Sequence, residues 1–279
     1  MMNHTTFYFT SKDELKIFAR AWISLAQDPK GLVYLVHGLG EHTGRYDDLA
    51  ESLNQSGYHL LGFDLRGHGL SEGPRGHTPD YDLMLDDIDT FIEASQEKFG
   101  FGPPKFLYGH SLGGNLVLNY GLQQRQQFTG VIATSPLLKT AFDPPKAKLF
   151  VAKFLSQIMP KLTLSSGLET QAISRDQAIV EAYENDPYVH DKVSAKLGHE
   201  MLERGKYVLE HAVEWQQPLL LMHGTADRIC STPASQEFAR AAGDNVDLVL
   251  WEDNYHELHN DIEKEKVINE MIHWLDQHI

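Results

Sequence analysis

Lys105-Phe106-Leu107-Tyr108-Gly109-His110-Ser111-Leu112-Gly113-Gly114 carries an apolar run into a Gly-x-Ser-x-Gly pentapeptide and out into a segment with Leu112, Leu116 and Tyr120 at helical spacing. Upstream, Gly102-Pro103-Pro104 bounds the run and marks it as a strand. A serine at a sharp strand-to-helix turn needs small neighbours, because a Cβ at the flanking positions keeps the turn from closing. Gly109 and Gly113 meet that need. The helix that follows leaves its first amides without intrahelical acceptors, aimed where an oxyanion would form. The decapeptide therefore predicts a nucleophile elbow with Ser111 at its apex, at the end of a strand in an α/β sheet.

Working outward, Leu32-Val33-Tyr34-Leu35-Val36 is a continuous apolar run of the kind buried on both faces of a parallel sheet, and it empties into His37-Gly38-Leu39-Gly40. The glycines allow the backbone to turn so that the amide of Leu39 faces the same point as the amide of Leu112, giving both donors of an oxyanion hole. Leu60-Leu61-Gly62-Phe63-Asp64 is the next strand. Asp64 and His68 at its exit read as turn-stabilising groups rather than catalytic ones. Before these runs, 5–10 and 16–22 read as an antiparallel hairpin at the sheet edge, and 82–98 reads as a helix.

Beyond the elbow, Gly130-Val131-Ile132-Ala133-Thr134 is a further buried strand. Leu219-Leu220-Leu221-Met222-His223 exits into Gly224-Thr225-Ala226-Asp227-Arg228, and the run 246–251 exits into Glu252-Asp253-Asn254-Tyr255-His256. An acid and then a histidine, each just past its own strand, complete the chain order Ser, Asp, His. A serine hydroxyl is a weak nucleophile that needs a base, and the base needs a carboxylate to fix its tautomer. Ser111, His256 and Asp227 fill those roles. His259 is the rival base and Asp253 the rival acid. His256 lies nearer its strand end, and Asp253 precedes the histidine too closely to reach its ring from behind.

The 279 residues, 42% apolar and 23% charged, suit one α/β core with an excursion. Lys and Arg number 24 against 39 Asp and Glu, a net charge of −15 that opposes binding to a phosphate backbone and excludes nucleic acid as a partner. The single cysteine, Cys230, forms no internal disulfide, and the fifteen histidines show no zinc-ligand spacing. No metal and no cofactor are expected. The first residues lack a basic stretch followed by an apolar one, and no uncharged apolar segment reaches spanning length, so a cytoplasmic protein is expected.

Between 137 and 205 the strand-helix alternation lapses, which predicts a helical cap inserted into a core formed by 1–136 and 206–279. Within it, Leu149 to Leu155 with Ile158-Met159 is densely apolar, and the stretch from Lys139 to Lys161 holds five lysines and one aspartate. Such a helix lies on a lipid surface or at the mouth of an apolar pocket, giving peripheral membrane contact. Alternatively it packs its apolar face on the core with the lysines solvated.

Taken together, His37-Gly38-Leu39-Gly40-Glu41-His42, Arg45-Tyr46, Phe63-Asp64 with Gly67-His68-Gly69, Gly109-His110-Ser111-Leu112-Gly113-Gly114, Gly224-Thr225-Ala226-Asp227-Arg228 and Tyr255-His256 resemble the monoacylglycerol lipases. These are serine hydrolases of the α/β-hydrolase fold, in the monoglyceride lipase and lysophospholipase branch. The resemblance runs through almost the whole chain, including Asn185-Asp186-Pro187 in the cap. It implies a mostly parallel sheet flanked by helices, and hydrolysis of a monoacylglycerol or related single-chain acyl ester to glycerol and fatty acid. A lysophospholipase or a broad carboxylesterase with the same triad is the alternative. It also implies that Glu41, Arg45, His110, Tyr183 and His259 lie near the glycerol end of the pocket, and that Cys230 sits beside the acid.

Overall fold

The computed structural model describes residues 4–102, 104–142 and 146–279, and from 146 the side chains of 150 onward. The N-terminal run folds back on itself as β1 (His4–Thr10) and β2 (Lys16–Trp22), antiparallel with His4 opposite Trp22 and Thr10 opposite Lys16. The chain then alternates strand and helix: β3 (Gly31–Val36), α1 (Asp47–Gln55), β4 (Tyr58–Phe63), α2 (Tyr81–Phe99), β5 (Lys105–His110), α3 (Leu112–Leu122) and β6 (Gly130–Thr134). An excursion follows, built from α4 (Lys146–Ile158), β7 (Thr163–Ser165), α5 (Gln177–Asn185), β8 (Lys192–Ser194) and α6 (Ala195–Glu210). Alternation resumes with β9 (Leu219–Gly224), α7 (Thr232–Ala242), β10 (Val246–Trp251) and α8 (Lys264–Gln277).

Among the described residues, eight strands form one sheet in the order β1-β2-β4-β3-β5-β6-β9-β10, parallel from β4 to β10 and antiparallel at the β1-β2-β4 edge. Helices cover both faces, which is why the inner strands are apolar on both sides. Tyr34, Val36 and Leu107 turn to the face packed by Leu85, Ile88 and Phe91 of α2 and by Leu116 and Tyr120 of α3. Val33, Leu35, Phe106 and Tyr108 turn to the other face, where Leu49 and Leu53 of α1 meet Val267, Met271 and Trp274 of α8. Each such side chain contributes about 1.5–3 kcal/mol on burial. The core thus holds β5 rigidly at the centre of the sheet, with the elbow at its C-terminal end.

The excursion differs from an all-helical cap in one respect: β7 and β8 pair antiparallel, Thr163 opposite Ser194 and Ser165 opposite Lys192. Three-residue strands are too short to leave a period in the sequence. Helix α6 runs through position 205, with Gly205 so close to the Leu137 and Leu138 carbonyls that a Cβ there would collide with them. Leu197 and Val208 of the same helix join the main core. Asp143 and the side chains of Lys146 and Lys148, part of the lysine-flanked pattern, lie outside the described residues.

Candidate active site

Ser111 occupies the tip of the elbow with φ 54° and ψ −113°, a left-handed backbone that a non-glycine residue adopts only under constraint. The constraint is close packing. A Cβ on Gly109 would strike the Gly113 carbonyl, and one on Gly113 would fall on the Val36 carbonyl, so Gly109 lets β5 close onto the start of α3 and Gly113 lets α3 press against the end of β3. Ser111 N–H donates to the Thr134 carbonyl of β6 at 3.0 Å, and the Ser111 carbonyl accepts from Asn115 and Leu137. The hydroxyl is thereby held at the floor of a cavity of about 260 Å³.

His256 and Asp227 arrive from the exits of β10 and β9. His256 Nδ1–H donates to Asp227 Oδ2 at 2.8 Å, which leaves Nε2 as the ring's other end, and His256 lines the same cavity as Ser111. No hydrogen bond joins the Ser111 hydroxyl to His256 among the described residues; such contacts commonly tighten only when substrate is bound. Asp227 Oδ2 also accepts from His223 Nε2 at 3.1 Å, and its Oδ1 accepts from the Ile229 and Cys230 amides at 2.7 and 3.0 Å. Burial alone would push this carboxyl up, but the charge and hydrogen bonds of His256 and His223 hold it well below the usual range. Burial opposes charging of His256, yet the Asp227 carboxylate outweighs it and raises its proton affinity.

The rivals stand elsewhere. Asp253 is exposed. His259 stacks on Tyr46 with ring centroids 4.7 Å apart, and burial pushes its pKa down to about 4. Asp64 ties a turn, Oδ1 accepting from the Thr43 amide and hydroxyl and Oδ2 from the Leu70 amide.

The oxyanion loop has its own brace. The Leu65 amide donates to His37 Nε2 at 2.8 Å, so the ring proton is on Nδ1, which donates to the Gly38 carbonyl at 2.8 Å. The Gly38 amide donates to Glu41 Oε1 at 2.6 Å. Leu39 then lines the cavity and Leu112 opens α3, and neither amide has an acceptor among the described residues. Two free donors beside a serine are what an oxyanion needs.

The cavity wall has two chemistries. Leu137, Phe142, Leu168, Ile173, Met201 and Ile229 make it apolar, while Glu41, His110, Tyr183, His190 and Glu257 make a polar end. Of the residues that the resemblance places near a glycerol end, Glu41, His110 and Tyr183 line this cavity. Arg45 and His259 are not among its lining residues: His259 is buried, and Arg45 is partly buried. Arg45 Nη1 donates to Glu41 Oε2 at 3.0 Å and to Glu257 Oε1 at 2.6 Å, Nη2 donates to Glu257 Oε2 at 2.7 Å, and the Tyr183 ring lies 4.6 Å from the guanidinium. Three of the five guanidinium N–H donors are thus taken by carboxylates. Sequence reasoning missed Glu257, whose only signal is adjacency to His256, and His223, which read as a strand residue. Cys230 lines the cavity, buried, with burial pushing its thiol pKa up.

Among the described residues, no helix is long and apolar enough to cross a membrane. Residues 27–263 match the family model described as Serine aminopeptidase, S33. An uncharacterized abhydrolase domain-containing protein of Dictyostelium discoideum is 36% identical over 96% of this chain, which spans 28% of that protein's length. A monoacylglycerol lipase of Mycolicibacterium smegmatis is 30% identical over 90% of both chains. The crystal structure of a Paleococcus ferrophilus monoacylglycerol lipase superposes over the whole of both chains with a TM-score of 0.83 at 34% identity.

Proposed function

Because the chain belongs to the Serine aminopeptidase, S33 family, a family of serine hydrolases on the α/β-hydrolase fold, we propose that it hydrolyses monoacylglycerols to glycerol and fatty acid through an acyl-enzyme. The observation that carries this reading is a single cavity that joins Ser111 and His256 to an apolar wall on one side and a polar end on the other. The acyl chain takes the apolar wall and the alcohol takes the polar end.

In this mechanism Ser111 Oγ attacks the ester carbonyl as His256 Nε2 takes its proton. The Leu39 and Leu112 amides hold the oxyanion of the tetrahedral intermediate, each contributing about 3 kcal/mol of transition-state stabilisation. His256 passes its proton to the departing glycerol oxygen, leaving the acyl group on Ser111. Water, activated by the same imidazole, then releases the fatty acid. Asp227 keeps the ring in the tautomer with Nδ1–H and stabilises the imidazolium.

We assign the residues between β6 and β9 as the cap over this cavity. Its α4 carries Phe150, Val151, Phe154 and Ile158 at one-turn spacing, exposed, with Phe150 73% accessible, and Met159 beside them. Lys153 and Lys161 flank that face. An exposed apolar stripe with lysines suits an anionic lipid surface, from which a single-chain ester enters past Phe142.

The test compares kcat/KM for a monoacylglycerol, the lysophosphatidylcholine and the ethyl ester of one acyl chain. A preference for the glycerol ester of about tenfold or more, about 1.4 kcal/mol, is expected. Equal rates on all three would replace the reading with a broad esterase.

A further inference from the structure

The alcohol leaves beside His256, because that ring supplies its proton, so the groups next to His256 on the cavity wall face the head group. Those groups are carboxylates. Glu257 follows His256 in the chain and lines the cavity, as does Glu41, and both are almost fully buried.

Every partner of these carboxylates is a donor. Glu41 accepts from the Gly38 amide, the Tyr46 hydroxyl at 2.8 Å and Arg45; Glu257 accepts from Arg45 twice and from Asn260 Nδ2 at 2.9 Å. Against burial, the Arg45 charge and hydrogen bonds hold the Glu257 carboxyl down at about 2, and every hydrogen bond to Glu41 comes from a donor. One guanidinium therefore serves two negative charges, and it is not among the residues that line the cavity. Among the described residues, the one arginine or lysine that lines the cavity is Arg228, whose Nη2 is 3.0 Å from Glu169, also a lining residue. His110 and His190 add no charge there, since burial lowers the proton affinity of each. One negative charge is left uncompensated at the head-group end, in a buried setting where solvent screens little. The −15 of the whole chain acts in the same direction.

We propose that Glu41 and Glu257 form an anion-excluding wall, so that the site takes esters of uncharged alcohols and rejects those whose alcohol carries a phosphate. The proposal rests on the assignment of the polar end to the alcohol. Apolar complementarity cannot make this choice, because an oleoyl chain is the same in both classes of ester. A like charge at the head group can, and it does so without touching the acyl end.

The experiment uses the full chain and three oleoyl esters in the same neutral detergent micelles: of ethanol, of glycerol and of glycerol 3-phosphate. The wild type is expected to favour the glycerol ester over its phosphate by at least about fiftyfold in kcat/KM. Glu257→Gln keeps an acceptor of the same shape and removes the charge, and it should shrink that ratio about tenfold or more. Glu41→Gln is the second variant should Glu257→Gln fail to fold, as judged by circular dichroism. Because the readout is a ratio, general loss of activity leaves it unmoved. An unchanged ratio in a folded variant, or a wild type that turns over the phosphate as fast as the glycerol ester, overturns the wall. Equal rates on the ethanol and glycerol esters would instead contradict the glycerol reading, with the neutral-to-phosphate ratio still reporting on the charge.

Discussion

Arg45 and Glu257, 212 residues apart, meet in a two-point contact, Nη1 to Oε1 at 2.6 Å and Nη2 to Oε2 at 2.7 Å. Through it the segment after the oxyanion loop is clamped to the loop that carries His256, and Tyr183 of the excursion lies against the clamp. Burial would lift the Glu257 carboxyl, but the Arg45 charge and hydrogen bonds bring it down to about 2. Arg45→Met leaves two buried carboxylates without their cation. We expect a loss of about 3–5 kcal/mol in urea unfolding, and a fall in kcat larger than any rise in KM. A variant as stable and active as wild type would remove the clamp from the account.

The same electrostatics set the pH profile. His256 must be neutral to accept the Ser111 proton, and Asp227 raises its proton affinity above that of a free imidazole. The acid limb of kcat/KM should therefore have its midpoint above about 6.5. Asp227→Asn removes the charge and leaves burial to dominate, so its limb should move to lower pH while activity drops by about 10⁴. Profiles from about pH 5 to 9 measure both, and a limb that stays put in Asp227→Asn would show that another group controls it.

Much of this was legible in the chain. The strands at 31–36, 105–110, 130–134 and 219–224 are apolar runs because both sheet faces are covered, and the residues at their exits are read by position alone. The elbow is legible because glycines at 109 and 113 answer a steric demand within five residues. The Glu41-Arg45-Glu257 cluster was not, since a contact across 212 residues leaves no local pattern. Arg45 resembles a ligand-binding arginine in sequence, and only the fold shows that three of its N–H donors go to two carboxylates. The β7-β8 pair is too short to show periodicity, and α6 continues past 205 because its buried residues follow helical spacing without a break.

The elbow glycines give a stability prediction. Gly113→Ala places a methyl group on the Val36 carbonyl and pushes α3 away from β3. Overpacking of this kind costs about 1–3 kcal/mol or more, and here it also displaces Ser111. The melting temperature should fall together with activity. An active Gly113→Ala of unchanged stability would mean that the elbow relaxes at no cost.

For the lipid-facing role of α4, Phe150→Ser with Phe154→Ser should weaken co-sedimentation with anionic vesicles, and Lys153→Glu should add about fivefold, near 1 kcal/mol for a basic residue at such a surface. Turnover of a short water-soluble ester should be unchanged, because these side chains are exposed on the excursion and do not line the cavity. Equal sedimentation of wild type and variants would detach the membrane from α4.

The most direct test of the account is intact-protein and peptide mass spectrometry after reaction with a fluorophosphonate that mimics the acyl transition state. The account predicts one adduct per chain, on the peptide containing Ser111, absent in Ser111→Ala with its fold intact and strongly slowed in His256→Ala. A stoichiometric adduct that persists in Ser111→Ala, or that maps to another residue, would contradict it.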